Sequence, residues 1–471
     1  MHKCWLFITL CFSSVVWANY DTSALPKESR HSLVVKQLAE SKENSIESNS
    51  GHFFPPASTL KIITALAATL ELDNDHKFET KLLNSGNDWI IQFSGDPTLT
   101  TQDLDNIIKT LQERSKGKTI GNIWLDNSAF TGYDRAVGWP WDILGVCYSA
   151  PASAISIDGN CVQASIYTQD QGKTRVYVPE HFPIHVSTKA KAVTKEHQES
   201  TQCTIELISQ PDNFYQLQGC LVEREKALPL KFAIQNPELY TTRVTHSLLN
   251  QHGVKISGNV QVGAPKLDNS VTVYTHYSAP LPELLEEMLK KSDNLIADSI
   301  TKTLGAHFYL QAGSFGNGTE AIKQIIFSRT GIDLGYAQLA DGSGLSRNNL
   351  LTSQSMASIL EYIWKHDEEL GLIDLFPRAG ESGTLKYRRS MRKEPIKGQI
   401  AAKSGSVYGS YNMAGYGLNE KGEPTSLFVQ FVADYHPRKK SDGPAVITPI
   451  TQFETQFYQD VVRYSQEIPK K

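Results

Sequence analysis

The sequence has no apolar run long enough to cross a membrane, no long block of like charge and no internal repeat. A transmembrane helix needs about 20 consecutive apolar residues, and the longest apolar run of this chain falls short of that. Its 46 basic residues nearly balance its 50 acidic ones, which gives no sign of a nucleic-acid-binding surface. These absences leave a globular protein, and a length of 471 residues predicts two or three domains.

Residues 1–18 are typical of a cleaved export signal. His2 and Lys3 precede an apolar run that ends near the small residue Ala18. A lipid attached to Cys11 is a weaker alternative, because the bulky Leu10 precedes it. The mature chain is therefore expected to be exported, to the periplasm or the medium, and to lack a transmembrane segment.

The chain contains 6 cysteines, of which two lie in the predicted signal. An even number of cysteines in an exported protein favours disulfides. Zinc is the competing hypothesis, but CxxC spacing and an accompanying histidine pair are both missing, so no metal is expected. Pairing of nearest neighbours would close short loops, and it predicts Cys147 with Cys161 and Cys203 with Cys220. The other two connectivities remain open.

The residue pattern changes twice along the chain. Residues 19–87 and 272–471 combine helical periodicity with strand-like segments, whereas residues 88–271 contain short β-type segments separated by turn residues. This order predicts one α/β domain split by a β-rich insertion of two small domains. The amphipathic C-terminal segment predicts a helix with few basic residues, so docking on its own domain is favoured over membrane binding.

A serine and a lysine three residues apart begin a predicted helix. Ser58 and Lys61 lie in PPASTLK and would share one helix face. A lysine whose pKa is lowered near cationic neighbours can remove the serine's proton and activate the hydroxyl as a nucleophile. The spacing alone carries little weight, because it recurs in pairs that we expect to be solvated surface pairs: Ser115 with Lys118, Ser299 with Lys302, and Ser390 with Lys393.

Two further motifs follow in order. Ser292 and Asn294 lie in SDN on a predicted loop, and Lys403, Ser404 and Gly405 form KSG on a predicted strand, where glycine would let a ligand approach the backbone. The ordered set SxxK, SDN and KSG is the pattern of class A β-lactamases and penicillin-binding proteins. It predicts a serine nucleophile that forms an acyl-enzyme.

The stretches between these motifs sharpen the match. The sequence resembles the class C low-molecular-mass penicillin-binding proteins, which are D-alanyl-D-alanine carboxypeptidases and endopeptidases. The resemblance implies an α/β (α+β) penicillin-binding/β-lactamase-like serine transpeptidase fold, with the long insertion between the first two motifs. The stretches that carry it, in chain order, are GDPTLT (95–100), GWPWD (138–142), YSAPASA (148–154), DGSGLSRNN (341–349) and SGTLKYR (382–388).

The resemblance also implies a role for each motif residue. Lys61 would take the proton of Ser58, which attacks the penultimate D-alanine carbonyl of a peptidoglycan stem peptide. The backbone N–H groups of Ser58 and Ser406 would form the oxyanion hole. Ser292 would relay a proton to the leaving amine, and Asn294 would bind the substrate amide.

Lys403 would keep the site electropositive, while Ser404 and Ser406, on one face of a strand, would bind the terminal carboxylate. No cofactor is implied, and β-lactam antibiotics would be covalent inhibitors. Two alternatives remain open: a serine β-lactamase-like hydrolase, and a non-catalytic penicillin-binding wall sensor.

Three residues are candidates for reading the stem peptide's diamino acid. The side chain of diaminopimelate ends in an ammonium and a carboxylate, so its pocket requires an acidic, a cationic and an aromatic group. Asp142, Arg347 and Tyr148 are of these types and lie in stretches that the family places beside the cleft. The alternative is structural: a turn cap, a surface ion pair and core packing, respectively.

Overall fold

The computed structural model describes residues 20–38, 45–265, 270–436 and 447–466. The predicted export signal, including Cys11, lies outside them. Among the helices in these ranges, none has the length and apolar character that crossing a membrane requires.

The helices of the described residues are Lys61–Glu71 (α1), Thr101–Ser115 (α2), Lys195–Thr201 (α3), Pro237–Gln251 (α4), Leu281–Lys291 (α5), Asn294–Tyr309 (α6), Phe315–Thr330 (α7), Ser353–Lys365 (α8), Asp367–Leu370 (α9) and Pro449–Gln466 (α10). The strands are Arg30–Gln37 (β1), Ser45–Ser48 (β2), Phe53–Phe54 (β3), Glu79–Ser85 (β4), Asp88–Gln92 (β5), Ile123–Asp126 (β6), Cys161–Gln169 (β7), Lys173–Tyr177 (β8), His185–Thr188 (β9), Lys191–Val193 (β10), Ile205–Ser209 (β11), Phe214–Val222 (β12), Leu228–Ala233 (β13), Val260–Val262 (β14), Val271–Tyr277 (β15), Leu351–Thr352 (β16), Ile400–Val407 (β17), Ser410–Leu418 (β18) and Pro424–Ala433 (β19).

An antiparallel sheet of order β17-β18-β19-β1-β2 forms the centre of the first domain. Side chains of a strand alternate between its two faces. In β19, Leu427 and Val429 pack with α1 and α5 to α8 on one face, and Phe428 and Val432 pack with α10 on the other. The sheet is thus covered by helices on both faces, which explains why β19 is apolar along most of its length.

The C-terminal helix α10 docks on this sheet, as predicted. Phe453, Phe457, Val461 and Val462 recur at helical spacing and are each at most 1% exposed. They pack beneath β1, β18 and β19. Burial of its apolar face in the protein leaves that face unavailable for binding a membrane surface.

A second sheet, of order β14-β6-β5-β4-β15, lies in the insertion. Helices α2 and α4 pack on it around a hydrophobic core of their own. The predicted bounds 88–271 cut through this sheet, because β4 and β5 are joined by the short turn at Gly86 that the sequence analysis treated as a domain boundary. We therefore propose that the inserted region runs from Glu79 to Tyr277.

The outer part of the insertion has another core, between the sheet β13-β7-β8 and the sheet formed by β9 to β12. Both predicted disulfide pairs are present in the structure, Cys147 with Cys161 and Cys203 with Cys220. The first pair joins the loop that carries Tyr148 to the start of β7. Two separate cores support the proposal of two small inserted domains.

Candidate active site

Ser58 lies in a 3₁₀ turn, Ala57–Leu60, that leads directly into α1. Residues i and i+3 eclipse in a 3₁₀ helix, so the side chain of Lys61 lies beside that of Ser58. The Lys61 Nζ donates a hydrogen bond of 3.1 Å to the Ser58 Oγ. The turn begins with Ala57 at a φ of 48°, a left-handed conformation that is uncommon for alanine. Local structure therefore brings together the pair that the spacing predicts.

Lys61 is completely buried and donates two further hydrogen bonds, of 2.6 Å to the Asn294 Oδ1 and 2.7 Å to the Ser343 carbonyl. Burial lowers the pKa of Lys61 from its ordinary value of 10.5 to about 8, and the carboxylate charges of Asp298 and Asp341 partly oppose this. The sequence predicts a pKa lowered by cationic neighbours, whereas desolvation is the largest cause in the structure.

The SDN motif forms the short break between α5 and α6, where the sequence predicts a loop. Ser292 ends α5 in a left-handed conformation, with a φ of 60°, and Asp293 caps the N-terminus of α6 by accepting from the Ile296 N–H at 2.9 Å. The break turns Ser292 and Asn294 toward the same site. The Asn294 Nδ2 also donates to the Tyr148 carbonyl at 2.7 Å, which connects the site to the insertion.

The KSG motif lies on β17, beside the 3₁₀ turn. The buried Lys403 donates from its Nζ to the Ser292 Oγ and to the Ser404 carbonyl, both at 2.8 Å. Burial lowers the pKa of Lys403 well below its ordinary value, and the charges of Lys61 and Arg388 lower it further. Ser404 is half-buried and Ser406 is exposed, and both lie on the strand face away from Gly405.

Gly405 also allows a close approach within the chain. A Cβ added there would lie 2.8 Å from the Pro56 carbonyl oxygen and 2.9 Å from the Thr59 nitrogen. The glycine therefore lets β17 approach the turn that carries Ser58.

A turn at residues 341–346 closes the site. The resemblance implies that its stretch lies beside the cleft, but the sequence does not predict that the Ser343 carbonyl is one of the acceptors of Lys61. The Asp341 carboxylate holds the turn together by accepting from the Gly344 and Ser346 N–H groups at 2.8 and 2.7 Å. An Asp-Gly-Ser-Gly sequence is a turn signal, but nothing in it reveals the contact with Lys61.

The insertion reaches this turn through the GWPWD stretch. The Trp139 Nε1 donates to the Asp341 Oδ2 at 2.8 Å, and the Arg347 N–H donates to the Gly138 carbonyl at 3.2 Å. The stretch therefore joins the insertion to the catalytic domain beside the site.

The three candidates for side-chain recognition are only partly brought together. Asp142 and Tyr148 line a cavity of about 1470 Å³ that also reaches Ser292 and Asn294. Tyr148 is 54% exposed, which argues against the core-packing alternative. Burial and the nearby Asp142 charge raise the pKa of Tyr148. Arg347 is absent from the described lining of this cavity and its guanidinium lies 5.1 Å from the Tyr408 ring centroid.

The serines of the recurrent SxxK pairs are all buried, against expectation, and in one pair the lysine is buried as well. Ser299 and Lys302 are both fully buried on α6, so they are not a solvated surface pair. The Lys302 Nζ donates to the Tyr133 and Ala152 carbonyls at 2.9 and 2.7 Å. It also lies 4.9 Å from the Phe315 ring centroid. Lys302 thus joins α6 to the insertion, a role that its sequence context does not reveal.

Comparison with known proteins places this chain in a family. Residues 20–457 match the model of the D-Ala-D-Ala carboxypeptidase 3 (S13) family. The chain is 35% identical to the D-alanyl-D-alanine carboxypeptidase DacB of Haemophilus influenzae over 97% of each chain. It is 26% identical to a D-alanyl-D-alanine carboxypeptidase of Actinomadura, over 80% of this chain and 73% of that one.

A crystal structure of penicillin binding protein 4 (dacB) from Haemophilus influenzae superposes on the chain with a TM-score of 0.85 and 34% identity, covering 94% of this chain and 98% of that one. Another structure of that protein, complexed with a novel β-lactam, superposes with a TM-score of 0.81 and 33% identity over the same shares. The predicted fold class is confirmed. Among the described residues, no group of three or more His, Cys, Asp or Glu side chains is arranged to hold a metal ion.

Proposed function

Because the chain belongs to the D-Ala-D-Ala carboxypeptidase 3 (S13) family and is a serine-type D-Ala-D-Ala carboxypeptidase, we propose that its substrates are peptidoglycan stem peptides. It cleaves them through an acyl-enzyme on Ser58, as a carboxypeptidase and also as an endopeptidase. The observation that carries the assignment of the nucleophile is the hydrogen bond from the buried Lys61 to the Ser58 Oγ. A lysine with a pKa of about 8 has an appreciable neutral fraction at neutral pH, as a general base requires.

In the acylation step, Lys61 Nζ takes the Ser58 hydroxyl proton as the Oγ bonds to the penultimate D-alanine carbonyl carbon. The backbone N–H groups of Ser58 and Ser406 stabilise the oxyanion that forms. The C–N bond then breaks, and the leaving amine receives a proton through Ser292, which Lys403 contacts at 2.8 Å. Hydrogen bonds connect Lys61 with Ser58 and Asn294, and a separate one connects Lys403 with Ser292.

In the deacylation step, water attacks the ester carbonyl and the Ser58 oxygen recovers a proton. Substrate contacts come from the remaining motif residues. The Asn294 side chain binds the substrate's backbone amide, and Ser404 and Ser406 on β17 bind the terminal carboxylate beside the Lys403 ammonium. A negative charge there would favour the protonated form of Lys403, opposing the effect of burial in the free site.

Covalent labelling tests the nucleophile. A fluorescent penicillin is expected to label the wild-type chain and the Ser115→Ala control, whose serine has the same SxxK spacing, but not Ser58→Ala. Labelling of Ser58→Ala at the wild-type rate would show that the nucleophile is misassigned. Rapid release of hydrolysed penicillin would favour the β-lactamase-like alternative. Bound penicillin without any cleavage of muropeptides, measured by mass spectrometry, would favour the wall sensor.

We further propose that Asp142, Tyr148 and Arg347 read the charged side chain of the stem peptide's diamino acid. The cavity that Asp142 and Tyr148 line supports this, because it opens onto Ser292 and Asn294. The Arg347 guanidinium lies over the Tyr408 ring, so its side chain would have to turn away from that ring to contact the substrate. A charge-assisted contact contributes about 1.5 to 3 kcal/mol.

The test compares kcat/KM on a diaminopimelate peptide with kcat/KM on a peptide that has an uncharged side chain. Asp142→Ala and Arg347→Ala should each reduce the preference for the diaminopimelate peptide, given as the ratio of the two kcat/KM values, by roughly 10- to 150-fold. Arg175→Ala is the matched control, since Arg175 lies at the same 5.1 Å over the Tyr167 ring in the outer insertion. Equal losses on both peptides would leave Asp142 and Arg347 with a structural role only.

We also propose that the chain is exported and that residues 1–18 are removed. The composition of that segment supports the proposal. Intact-mass measurement of the protein recovered from the cell envelope or the medium should show an N-terminus at Asn19, and a full-length mass would contradict it.

A further inference from the structure

Asp298 lies on α6, one turn after Asn294, and none of the roles above involves it. Its side chain is completely buried. The Asp298 Oδ1 accepts hydrogen bonds from two successive backbone N–H groups, of Gly342 at 3.1 Å and Ser343 at 2.9 Å. The carboxyl group therefore holds the start of the turn at residues 341–346.

The same turn contacts the proposed base. The Ser343 N–H donates to Asp298, and the carbonyl of the same residue accepts from the Lys61 Nζ at 2.7 Å. Lys61 in turn contacts the Ser58 Oγ at 3.1 Å. A continuous set of hydrogen bonds thus runs from α6 through one residue of the turn to the nucleophile.

The turn has little room to adjust by itself. A Cβ added to Gly342 would lie 1.8 Å from the Thr301 Oγ1, and one added to Gly344 would lie 1.9 Å from the Ala57 carbonyl oxygen. From α1, the Thr64 Oγ1 donates to the Gly342 carbonyl at 2.8 Å. The turn is wedged between α6 and the residue before Ser58, so any shift of it would move the acceptor of Lys61.

We propose that Asp298 is a positioning residue that fixes the Ser343 carbonyl and thereby aims the Lys61 amine at Ser58. This inference rests on the proposed function, because it concerns the same acylation step. Asp298 touches neither the substrate nor the reacting atoms, and it acts through the turn.

The hydrogen bonds from the Gly342 and Ser343 N–H groups require an acceptor oxygen at Asp298 and not a negative charge. Burial raises the pKa of Asp298 well above its ordinary value, the Asp341 charge raises it further, and the Lys61 charge opposes both. Lys302 is a further cation near the carboxyl group, on α6 itself. The Asp298 Oδ2 has no hydrogen-bond partner among the described residues. An asparagine at this position would retain an Oδ1 that accepts from both N–H groups.

The experiment measures acylation of the full chain by a fluorescent penicillin under single-turnover conditions, which separates the acylation rate constant from the non-covalent dissociation constant. Asp298→Ala should lower the rate constant by about 100-fold, since misplacing a group by about 1 Å costs that much, while non-covalent binding changes little. Asp298→Asn should remain within a few-fold of wild type. Rescue by the uncharged isostere separates positioning from charge.

A second pair of variants covers the case in which Asp298→Ala does not fold. Thr64→Val removes the hydrogen bond from α1 to the Gly342 carbonyl and should lower the rate constant in the same way, by a smaller factor. Thr69→Val is its control on α1, because its hydroxyl bonds to the Ala65 carbonyl and not to the turn. Thermal unfolding of each variant confirms that folded protein is compared.

The pH profile separates the remaining outcomes. Because the Asp298 charge raises the Lys61 pKa, the acid limb of Asp298→Asn should move to lower pH, and if Asp298 acts by position the plateau above that limb should stay within a few-fold of wild type. A plateau as low as that of Asp298→Ala would show that the charge is required and would overturn the proposal. Wild-type rates in Asp298→Ala would overturn it as well, whereas absence of labelling in the wild-type chain would overturn the proposed function itself.

Discussion

Raising the pH from 6 to 9 should accelerate acylation of Ser58, and the shape of that increase depends on the Lys61 pKa. Lys61 accepts the serine proton only in its neutral form. Because burial lowers the pKa to about 8, the neutral fraction is about 1% at pH 6 and about 90% at pH 9. The acylation rate constant should therefore rise roughly 90-fold over this range and level off above pH 9.

An ordinary lysine would behave differently. With a pKa of 10.5, the neutral fraction would rise by ~1000-fold between pH 6 and pH 9 without levelling. The assay is stopped-flow acylation by a fluorescent penicillin at saturating concentration. Saturation is needed because the protonation of Lys403, whose pKa is also lowered, affects binding of the penicillin carboxylate.

The matched variants are Lys61→Arg and Lys118→Arg. Arginine stays protonated, so Lys61→Arg should lose about 100- to 10,000-fold in the rate constant at pH 8, the usual contribution of a general base. Lys118→Arg changes an exposed lysine of the same SxxK spacing and should behave as wild type. A rate constant that does not depend on pH, or one that still rises tenfold per pH unit above pH 9, would refute the assignment of Lys61 as a base with a pKa of about 8.

Two further substitutions test the packing around the site. Gly405→Ala should lower the free energy of unfolding by about 1 to 3 kcal/mol and also slow acylation, because its Cβ would displace β17 from the turn carrying Ser58. Gly51→Ala is the control, since a Cβ there meets nothing within 4 Å. Equal urea midpoints for the two variants would contradict this prediction. Lys302→Met should lower the free energy of unfolding by about 2 to 5 kcal/mol, because the Tyr133 and Ala152 carbonyls lose their buried donor. If Lys302→Met unfolds at the same urea concentration as the exposed control Lys118→Met, the hydrogen bonds of Lys302 contribute nothing to the free energy of unfolding.

Local features were predictable from the sequence alone. The Ser58 and Lys61 contact depends only on a three-residue spacing at the start of a helix, and the identity of KSG as part of a strand depends on its apolar neighbours. The terminal helix was predictable for the same reason, since its apolar face repeats at helical spacing. These properties arise from interactions between residues close together in the chain.

The tertiary structure decided which distant groups meet. The turn that holds the Ser343 carbonyl comes from about 280 residues beyond Lys61, and the buried Asp298 that holds this turn lies on another helix. The pairing of β4 with β15 supports the proposed edges of the insertion, and the turn residues alone do not predict this pairing. The burial of Lys302 was likewise hidden, because its sequence context is that of an ordinary helical lysine. Desolvation and close approach of backbones depend on which surfaces pack together, and a pattern of residue types along one chain does not carry that information.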